Sequence, residues 1–209
     1  NNSTDSTLKI AKTYGLKIAK IKKYLPGKAL NIGIKKSIGR YIVCISAHCI
    51  PKNKYWLSKL LKSLKQKNVA GVYGRQEPLS FSSDSDKRDM AIAFGLDKII
   101  QKKDSFFHNA NSAIKRSLWN KIKFDEKITN IEDRIWANNF LKLGYKIIYE
   151  PGASVYHYHG IHQNRNPERL RQVVEILEQN KLITSKNIKL NKNTITYAII
   201  PIMGSLPKL

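Results

Sequence analysis

The length, composition and charge of the chain limit the classes of protein to which it can belong. Its 209 residues suit one domain with a substantial core, and a hydrophobic fraction of 42% argues against disorder. The formal net charge of +23 predicts attraction to phosphates, whether on nucleic acid, on lipid head groups or in a nucleotide diphosphate. Because the lysines are spread along the chain, a compositional bias explains the excess equally well.

Cysteine usage and apolar runs bear on the compartment of the protein. Cys44 and Cys49 are the only two cysteines, and without a secretory signal they indicate reduced thiols in a cytosolic protein. No run reaches the roughly 20 apolar residues that span a bilayer. The chain starts with Asn1 and Asn2 rather than with Met, and we expect a further segment to precede it.

Helices and strands are predicted to alternate along the first half of the chain. Small polar residues from Thr4 to Thr7 predict the start of a helix, and Gly15 predicts its end. The continuous β-branched run at residues 41–45 predicts a strand that is covered on both faces. The apolar periodicity further predicts strands at residues 16–21 and 69–74 and helices at residues 28–37 and 56–64.

The second half continues this alternation after a loop rich in Ser and Asp at residues 79–86. The pattern predicts helices at residues 88–100, around Trp119, from Ile131 to Gly144 and at 168–179, and strands at 110–114, 146–149 and 154–158. Strands separated by crossover helices are typical of an α/β sheet. We therefore predict one α/β domain at residues 1–165 and a C-terminal helix with a basic, apolar tail at residues 166–209.

Four segments in a fixed order carry the functional signal. The first is Asn-Ser-Thr-Asp-Ser-Thr at residues 2–7, and the second is Pro-Gly-Lys-Ala-Leu-Asn-Ile-Gly at residues 26–33. The third is Ser-Ala-His-Cys-Ile-Pro at residues 46–51, directly after a predicted strand. The fourth is Ile-Glu-Asp at residues 131–133, which opens a predicted helix.

In this order the four segments resemble those of the family-2 glycosyltransferases of the GT-A fold. That family has a D-x-S-T-D-x-T loop, a G-K-A-x-N-x-G helix, a buried strand that ends in D-x-D, and a later Glu-Asp pair. The resemblance spans residues 2–160. It implies a GT-A-like α/β fold, with a mixed sheet flanked by helices, from which the first strand or strands are missing. It also implies transfer of a sugar from a nucleotide-diphosphate sugar to a hydroxyl acceptor.

The resemblance further implies which residues hold the donor. The charge on the leaving diphosphate must be stabilised during transfer, and Lys28, beside a glycine, offers a cation. Asn31 on the same helix offers an amide for the nucleotide or the sugar. The implied donor residues are Asp5, Lys28, Asn31, Ser46, His48, Arg75 and Asn111. For the two helix residues, a solvated lysine and a surface asparagine are the alternative.

Asp133 is the predicted general base, because it matches the aspartate of the family's Glu-Asp pair, and Glu132 stands beside it. The acceptor hydroxyl must lose its proton during transfer, and the dipole of a helix keeps a carboxylate at its N-terminus ionised. The same dipole lowers the basicity of the carboxylate, so the acceptor must be well positioned. An ordinary acidic residue in a first helical turn is the alternative.

The sequence departs from the family at Ser46-Ala47-His48, where relatives have acidic residues that bind a divalent cation. Imidazole is a poor ligand for Mg²⁺ and a better one for Mn²⁺. Two hypotheses follow. Either His48 binds a divalent metal with help from His157 or His159, or Lys, Arg and His side chains stabilise the diphosphate without one.

The predicted acceptor is a glycan or a lipid-linked sugar, in the synthesis of a cell-surface polysaccharide. The processive synthases of this superfamily carry a Q-x-x-R-W element, and its absence here favours single additions. The basic residues and the apolar tail at residues 194–209 predict a cytoplasmic enzyme that is held at the anionic inner face of the membrane.

Two other classes of protein are alternatives. A nucleic-acid-binding protein would suit the charge, but no helix-turn-helix, zinc-finger or RNA-recognition signature occurs, so nucleic acid is not the expected partner. The other alternative is an inactive domain of the same fold that serves as an interaction surface. Replacement of the acidic element by Ser46-Ala47-His48 is compatible with it.

Overall fold

The computed structural model describes residues 3–158 and 167–183 of the chain. The helices in these residues are α1 (Thr7–Thr13), α2 (Pro26–Lys36), α3 (Trp56–Leu64), α4 (Asp84–Ala93), α5 (Arg116–Lys121), α6 (Glu132–Lys142) and α7 (Pro167–Gln179). The strands are β1 (Tyr41–Ile45), β2 (Cys49–Pro51), β3 (Val69–Pro78), β4 (Ile99–Gln101), β5 (Asn111–Lys115) and β6 (Lys146–His157). They form one mixed sheet with helices packed on it, which confirms the predicted α/β architecture.

The order and direction of the strands give the sheet two distinct ends. The order is β1-β5-β3-β6-β2, and β4 also pairs with β6. β3 and β6 are parallel, and β5 is antiparallel to both β1 and β3, so β1, β3 and β6 run in the same direction. We call the end of the sheet where these three strands finish the carboxyl end, and the end where they begin the amino end.

Two apolar clusters cover the two faces of the sheet. Successive residues of a strand point to opposite faces, so Ile147 and Tyr149 belong to one cluster and Ile148 to the other. The larger cluster is rich in aromatic side chains and includes Trp136 of α6. The smaller cluster lies under α3, which contributes Leu60. Both faces of β1 contribute to these clusters, as its sequence predicted.

Helix α2 is anchored on the segment between α5 and α6. A Cβ atom at Gly27 would collide with the Asp125 carbonyl group, so only glycine permits this approach. Asn31 is 1% exposed, and its Nδ2 donates to the Phe124 carbonyl over 2.9 Å. Its Oδ1 accepts from Trp119 Nε1 over 2.9 Å. The glycine and the asparagine of the second sequence segment therefore hold α2 in place.

Two predictions about the strands are wrong. Residues 16–21 form no strand, because they are lysine-rich, lie at or near the surface and have no neighbouring strand to pair with. Residues 146–157 form one strand of 12 residues rather than two, although Pro151 and Gly152 interrupt the apolar pattern. Strands on either side of β6 keep it extended, and a register shift against β3 accommodates the irregularity.

The boundaries predicted for the fourth helix are also wrong. Helix α4 begins inside the predicted loop, at Asp84, because Ser83 caps it by accepting a hydrogen bond from the Asp86 N–H over 3.2 Å. It ends at Ala93, and residues 99–101 pair with β6 instead of continuing a helix. None of the helices in the described ranges is both long and apolar enough to cross a bilayer.

Candidate active site

The turn at Ser46–His48 lies at the carboxyl end of the sheet, where it meets the start of β5 and the end of β6. The Ser46 N–H donates to the Ala110 carbonyl over 3.0 Å. The Tyr158 N–H donates to the His48 carbonyl over 3.2 Å. These backbone bonds bring three segments together that are far apart in the sequence.

His48 and His157, both predicted as site residues, are neighbours at the carboxyl end of the sheet. The ring centroids of His48 and His157 are 4.8 Å apart, because Cys49, the residue after His48, pairs with His157 across β2 and β6. Ser46 Oγ and His48 Nε2 are 3.0 Å apart and form a hydrogen bond. His157 is 4% exposed, whereas His48 is half-buried. His159, the other candidate ligand, lies outside the described residues.

The acid pair opens helix α6 and is enclosed by the protein. Glu132 and Asp133 are 7% and 9% exposed. Asp133 Oδ2 accepts a hydrogen bond from the Asn109 N–H over 3.0 Å, and its Oδ1 accepts one from the Arg134 N–H over 2.8 Å. The carboxylate is thus held from both sides. The bond from Asn109 links the start of α6 to the segment that leads into β5.

Helix α6 begins from a backbone conformation that is unusual for its residue type. Ile131, immediately before the acid pair, has φ 57° and ψ 23°, which is the left-handed region. A β-branched residue adopts it at a cost of roughly 1–2 kcal/mol. Such conformations cluster at functional sites, where the surrounding structure enforces them. Ile131 therefore marks the start of α6 as a constrained point of the fold.

Burial is the main cause of an unusual protonation state at Glu132. It raises the pKa of this carboxyl to about 8, and the charge of Asp133 acts in the same direction. The side-chain amide of Asn109 and the positive charge of Arg169 oppose the shift in pKa. At neutral pH one carboxyl of the pair, Glu132, consequently keeps its proton.

Three residues near the acid pair were not among the predicted site residues. Burial lowers the pKa of His108, and the charge of Asp133 partly offsets this shift; the Ala110 N–H donates to His108 Nδ1 over 3.3 Å. Helix α7 brings Arg169 within electrostatic reach of Glu132. Burial raises the pKa of Tyr24, the charge of Glu132 adds to this shift, and the charge of Arg169 opposes it. His108 lies three residues before Asn111, a predicted donor residue, and that spacing is the signal that could have found it. Nothing local marks Arg169 or Tyr24.

Asn111, predicted to bind the donor, has all its amide atoms engaged inside the protein. It is 0% exposed, and its Nδ2 donates to the carbonyls of Ala153 over 2.8 Å and of Arg75 over 3.1 Å. Its Oδ1 accepts from Trp56 Nε1 over 2.8 Å. Asn111 therefore ties β5 to β3, β6 and α3. Asn31 is similarly engaged, so both amides contribute to the scaffold.

The other predicted donor residues lie in more accessible positions. Asp5 is exposed and accepts a hydrogen bond from the Thr7 N–H over 3.0 Å, so it caps α1. Lys28 is half-buried in the first turn of α2. Arg75 is half-buried on β3, with its Nε 3.9 Å from Glu77 Oε1.

Few side chains in the described part of the chain are placed to bind a metal ion. Residues 3–158 and 167–183 contain no group of three or more His, Cys, Asp and Glu side chains placed to hold a metal ion. The adjacent imidazoles of His48 and His157 suit Mn²⁺ better than Mg²⁺, because Mg²⁺ prefers oxygen ligands. Two protein ligands fit a metal only if ligand oxygens or water complete its coordination shell.

The sheet, the acid pair at the start of α6 and the histidines at the carboxyl end define a protein of the GT-A glycosyltransferase fold. Glycosyl transferase family 2 matches residues 1–123, more than half of the chain, and the chain belongs to this family. The chain is also 29% identical over 172 residues to the O-antigen chain rhamnosyltransferase WbaN of Salmonella anatum. That alignment covers 76% of this chain and 55% of WbaN.

Two solved structures share the fold. The mannosyltransferase PcManGT from Pyrobaculum calidifontis, solved with GDP-Man and Mn²⁺, has a TM-score of 0.65 at 19% identity, covering 88% of this chain and 53% of that one. TarS from S. aureus, solved with UDP, has a TM-score of 0.54 at 17% identity, covering 93% and 56%. The chain thus spans just over half the length of these relatives.

Proposed function

We propose that the chain carries the catalytic site of a glycosyltransferase that moves a sugar from a nucleotide-diphosphate sugar to a hydroxyl group of a glycan or lipid-linked acceptor. The observation that carries the proposal is the enclosed Glu132-Asp133 pair at the start of α6, which the Asn109 N–H joins to the segment whose Ala110 carbonyl accepts from the Ser46 N–H. A cell-surface polysaccharide is the proposed product, because WbaN is an O-antigen chain rhamnosyltransferase. The cytoplasm, at the inner face of the membrane, is the proposed location.

Asp133 is the proposed general base. The acceptor oxygen forms a bond to the anomeric carbon of the donor while the bond from that carbon to the diphosphate breaks, and Asp133 receives the acceptor proton. Hydrogen bonds from the Asn109 and Arg134 N–H groups orient its carboxylate before the acceptor arrives. Burial raises the pKa of Glu132 to about 8, which favours its protonated form at neutral pH, and in that form Glu132 is able to donate a hydrogen bond.

Cationic and imidazole groups are proposed to stabilise the leaving diphosphate. Lys28 and Arg75 are half-buried cations on α2 and β3. His48 and His157 would hold Mn²⁺ if the diphosphate oxygens completed its shell, and the metal would neutralise negative charge on the leaving group. PcManGT was solved with Mn²⁺ and a nucleotide sugar, which supports this assignment. Asp5, at the start of α1, stays a proposed donor contact.

The role of Asp133 is tested by the Asp133→Asn variant. Loss of the proton acceptor is expected to lower the rate of sugar transfer by about 10²–10⁴-fold. Because an amide can accept only one of the two N–H bonds made by Asp133, we also expect a loss of about 1–3 kcal/mol in stability, so rates are compared at a temperature where melting curves show the variant to be folded. The measurement is the release of nucleoside diphosphate from a panel of nucleotide sugars in the presence of glycan acceptors. The matched control is Asp97→Asn, which changes an exposed aspartate in the same way.

The outcomes separate the proposal from the two alternatives. Activity of Asp133→Asn within a factor of ten of the parent would rule out the proposed base. No turnover and no nucleotide binding by the parent chain would favour an inactive domain of the same fold. Tight binding of nucleic acid at physiological salt, without turnover of any donor, would favour the nucleic-acid-binding class.

A further inference from the structure

The amino end of the sheet is the place where several basic segments converge. The Arg116 N–H donates to the Arg40 carbonyl over 2.9 Å, which joins the start of β1 to the end of β5. The Lys146 N–H donates to the Asn68 carbonyl over 2.7 Å, which joins the start of β6 to the turn before β3. The segments that meet there are residues 35–41, 62–68, 115–117 and 142–146, and we call their surface the basic end.

The basic end is uniformly positive. Its segments contain no Asp or Glu, and ten of their residues are basic: Lys35, Lys36, Arg40, Lys62, Lys65, Lys67, Lys115, Arg116, Lys142 and Lys146. None of the ten forms an ion pair with a carboxylate of residues 3–158 or 167–183. By contrast, Lys52 and Lys98, elsewhere in the fold, pair with Glu77 and Glu150. The charge of the basic end is therefore not neutralised within the described chain.

An open cavity of about 390 Å³ lies within this surface. Its lining includes the basic residues Arg40, Lys65, Lys115 and Arg116, together with Asn120. The guanidinium of Arg116 donates to the Ile34 carbonyl over 3.1 Å and so belongs to the scaffold of the cavity. Arg40 and Lys65 are exposed at its mouth. Cations and an amide around an open cavity are chemically suited to a phosphate group.

Two apolar side chains project from the same surface. Ile38, in the loop between α2 and β1, is 91% exposed, and Leu143, at the end of α6, is 60% exposed. Apolar side chains among lysines are the pattern by which proteins lie in a membrane interface, with the apolar groups entering the acyl boundary and the cations meeting head groups. A free phosphate or a nucleic-acid backbone would meet the cations but give no contact for Ile38.

We propose that the basic end docks on an anionic phospholipid surface, with head-group phosphates at the cavity and Ile38 and Leu143 at the acyl boundary. Docked in this way, the carboxyl end of the sheet points away from the bilayer, so the acceptor hydroxyl of the proposed reaction lies on a glycan that extends from the surface rather than at the head groups. The proposal uses neither the tail at residues 194–209, which lies outside the described residues, nor the transfer reaction. It is therefore tested independently of both.

Vesicle binding by the full chain tests the charge contacts. The triple variant Arg40→Gln/Lys65→Gln/Lys67→Gln removes three exposed cations of the basic end. Each basic residue near an anionic surface contributes roughly fivefold to partitioning, so we expect the triple variant to bind roughly 100-fold more weakly. The measurement is co-sedimentation with vesicles of equal parts phosphatidylglycerol and phosphatidylcholine, with vesicles of phosphatidylcholine alone as the neutral reference.

A second triple variant distinguishes an effect of the basic end from an effect of the net charge of the protein. Lys23→Gln/Lys54→Gln/Lys127→Gln removes the same charge from exposed residues outside the basic end. It is expected to lose less than roughly tenfold in binding to the anionic vesicles, because its lysines do not face the head groups. Equal losses in the two triple variants, or equal binding of the parent to neutral vesicles, would overturn the proposal.

The depth of Ile38 tests the apolar contact. Cys44 and Cys49 are buried and burial raises the pKa of both thiols to about 12, so an environment-sensitive dye will label an Ile38→Cys variant at its new thiol. Fluorescence is expected to rise and shift to the blue on anionic vesicles. A Leu96→Cys variant, whose site is 73% exposed and outside the basic end, is expected to show no change. An unchanged signal at residue 38, or an oligonucleotide that binds the basic end more tightly than vesicles, would overturn membrane docking.

Discussion

Glu132, Asp133 and Arg134 are consecutive residues in the first turn of a helix, and all three are buried. Helical geometry points successive side chains about 100° apart, so the N-terminus of α6 must be enclosed on several sides. Ile131, in its left-handed conformation, directs the chain into this enclosure. Contacts in the rest of the fold offset the free-energy cost of that conformation and of burying the two acids, as expected of a functional site.

The buried Glu132 predicts a distinctive dependence of stability on pH. The ordinary pKa of the carboxyl is 4.5, and burial raises the pKa to about 8 in the folded protein. Between these values the folded state holds a proton that the unfolded state has lost, so stability falls as the pH rises through this window. We expect Glu132→Gln, which cannot ionise, to gain stability relative to the parent from about pH 5 to pH 8. The gain should exceed roughly 2–4 °C in melting temperature, the equivalent of about 1 kcal/mol.

Melting curves of both proteins across this range measure the gain. Any other groups that titrate in this range are present in both proteins, so the difference between the two isolates Glu132. Glu178→Gln, on α7, is the matched control and should run parallel to the parent. A difference between Glu132→Gln and the parent that stays constant with pH would show that Glu132 is already ionised at neutral pH.

Among the elements, β5 is held in place by the Asn111 amide as well as by the backbone ladder. The amide reaches carbonyls on β3 and β6 and the Trp56 indole on α3. An Asn111→Ala substitution would leave these three buried groups without partners, at about 1–3 kcal/mol for each. We expect a loss of about 3–5 kcal/mol in the free energy of unfolding, measured by urea denaturation.

A graded variant shows whether the amide acts through these bonds. Trp56→Phe removes the indole N–H from the network together with part of the ring that packs on the smaller cluster, and should cost about 2–3 kcal/mol. If Asn111→Ala were as stable as the parent and lost only affinity for nucleotide sugars, Asn111 would be a donor contact rather than a structural residue. Urea denaturation and affinity for nucleotide sugars therefore decide whether Asn111 is a donor contact, as the sequence suggested, or a structural residue, as its hydrogen bonds suggest.

The elements also show what the sequence was able to predict. Amphipathic spacing specified α3 and α6, and the β-branched run specified β1, because these patterns arise from burial within each element. The three-residue strands β2 and β4 exist through pairing with β6, which no local pattern records. The same holds for β6, which crosses Pro151 and Gly152 because its neighbours hold it extended.

For the molecule as a whole, the residues of the candidate site also fall into those that local motifs predicted and those whose position depends on long-range packing. Motif order predicted Asp133 and His48, the strand pattern predicted His157, and the fold places the two histidines side by side. The amides of Asn31 and Asn111 matched donor-binding positions by motif, but their hydrogen bonds reach residues up to 95 positions away. Arg169 reaches the acid pair only because α7 folds back towards the start of α6. Long-range packing of this kind has no signature in a single sequence.

The proposed site predicts that metal and nucleotide bind together, and the stability of the whole molecule tests this prediction. A ligand at 100 times its dissociation constant stabilises a protein by about 2.7 kcal/mol, or roughly 5–10 °C for a chain of this size. We expect the matching nucleoside diphosphate to produce this shift with Mn²⁺, a smaller one with Mg²⁺, and least with a chelator, because imidazole ligands favour Mn²⁺. His48→Ala should abolish the difference between Mn²⁺ and the chelator. Asp133→Asn should preserve it, since the general base does not hold the metal. An equal shift with Mn²⁺ and with the chelator would mean that the lysine, arginine and histidine side chains stabilise the diphosphate without a metal.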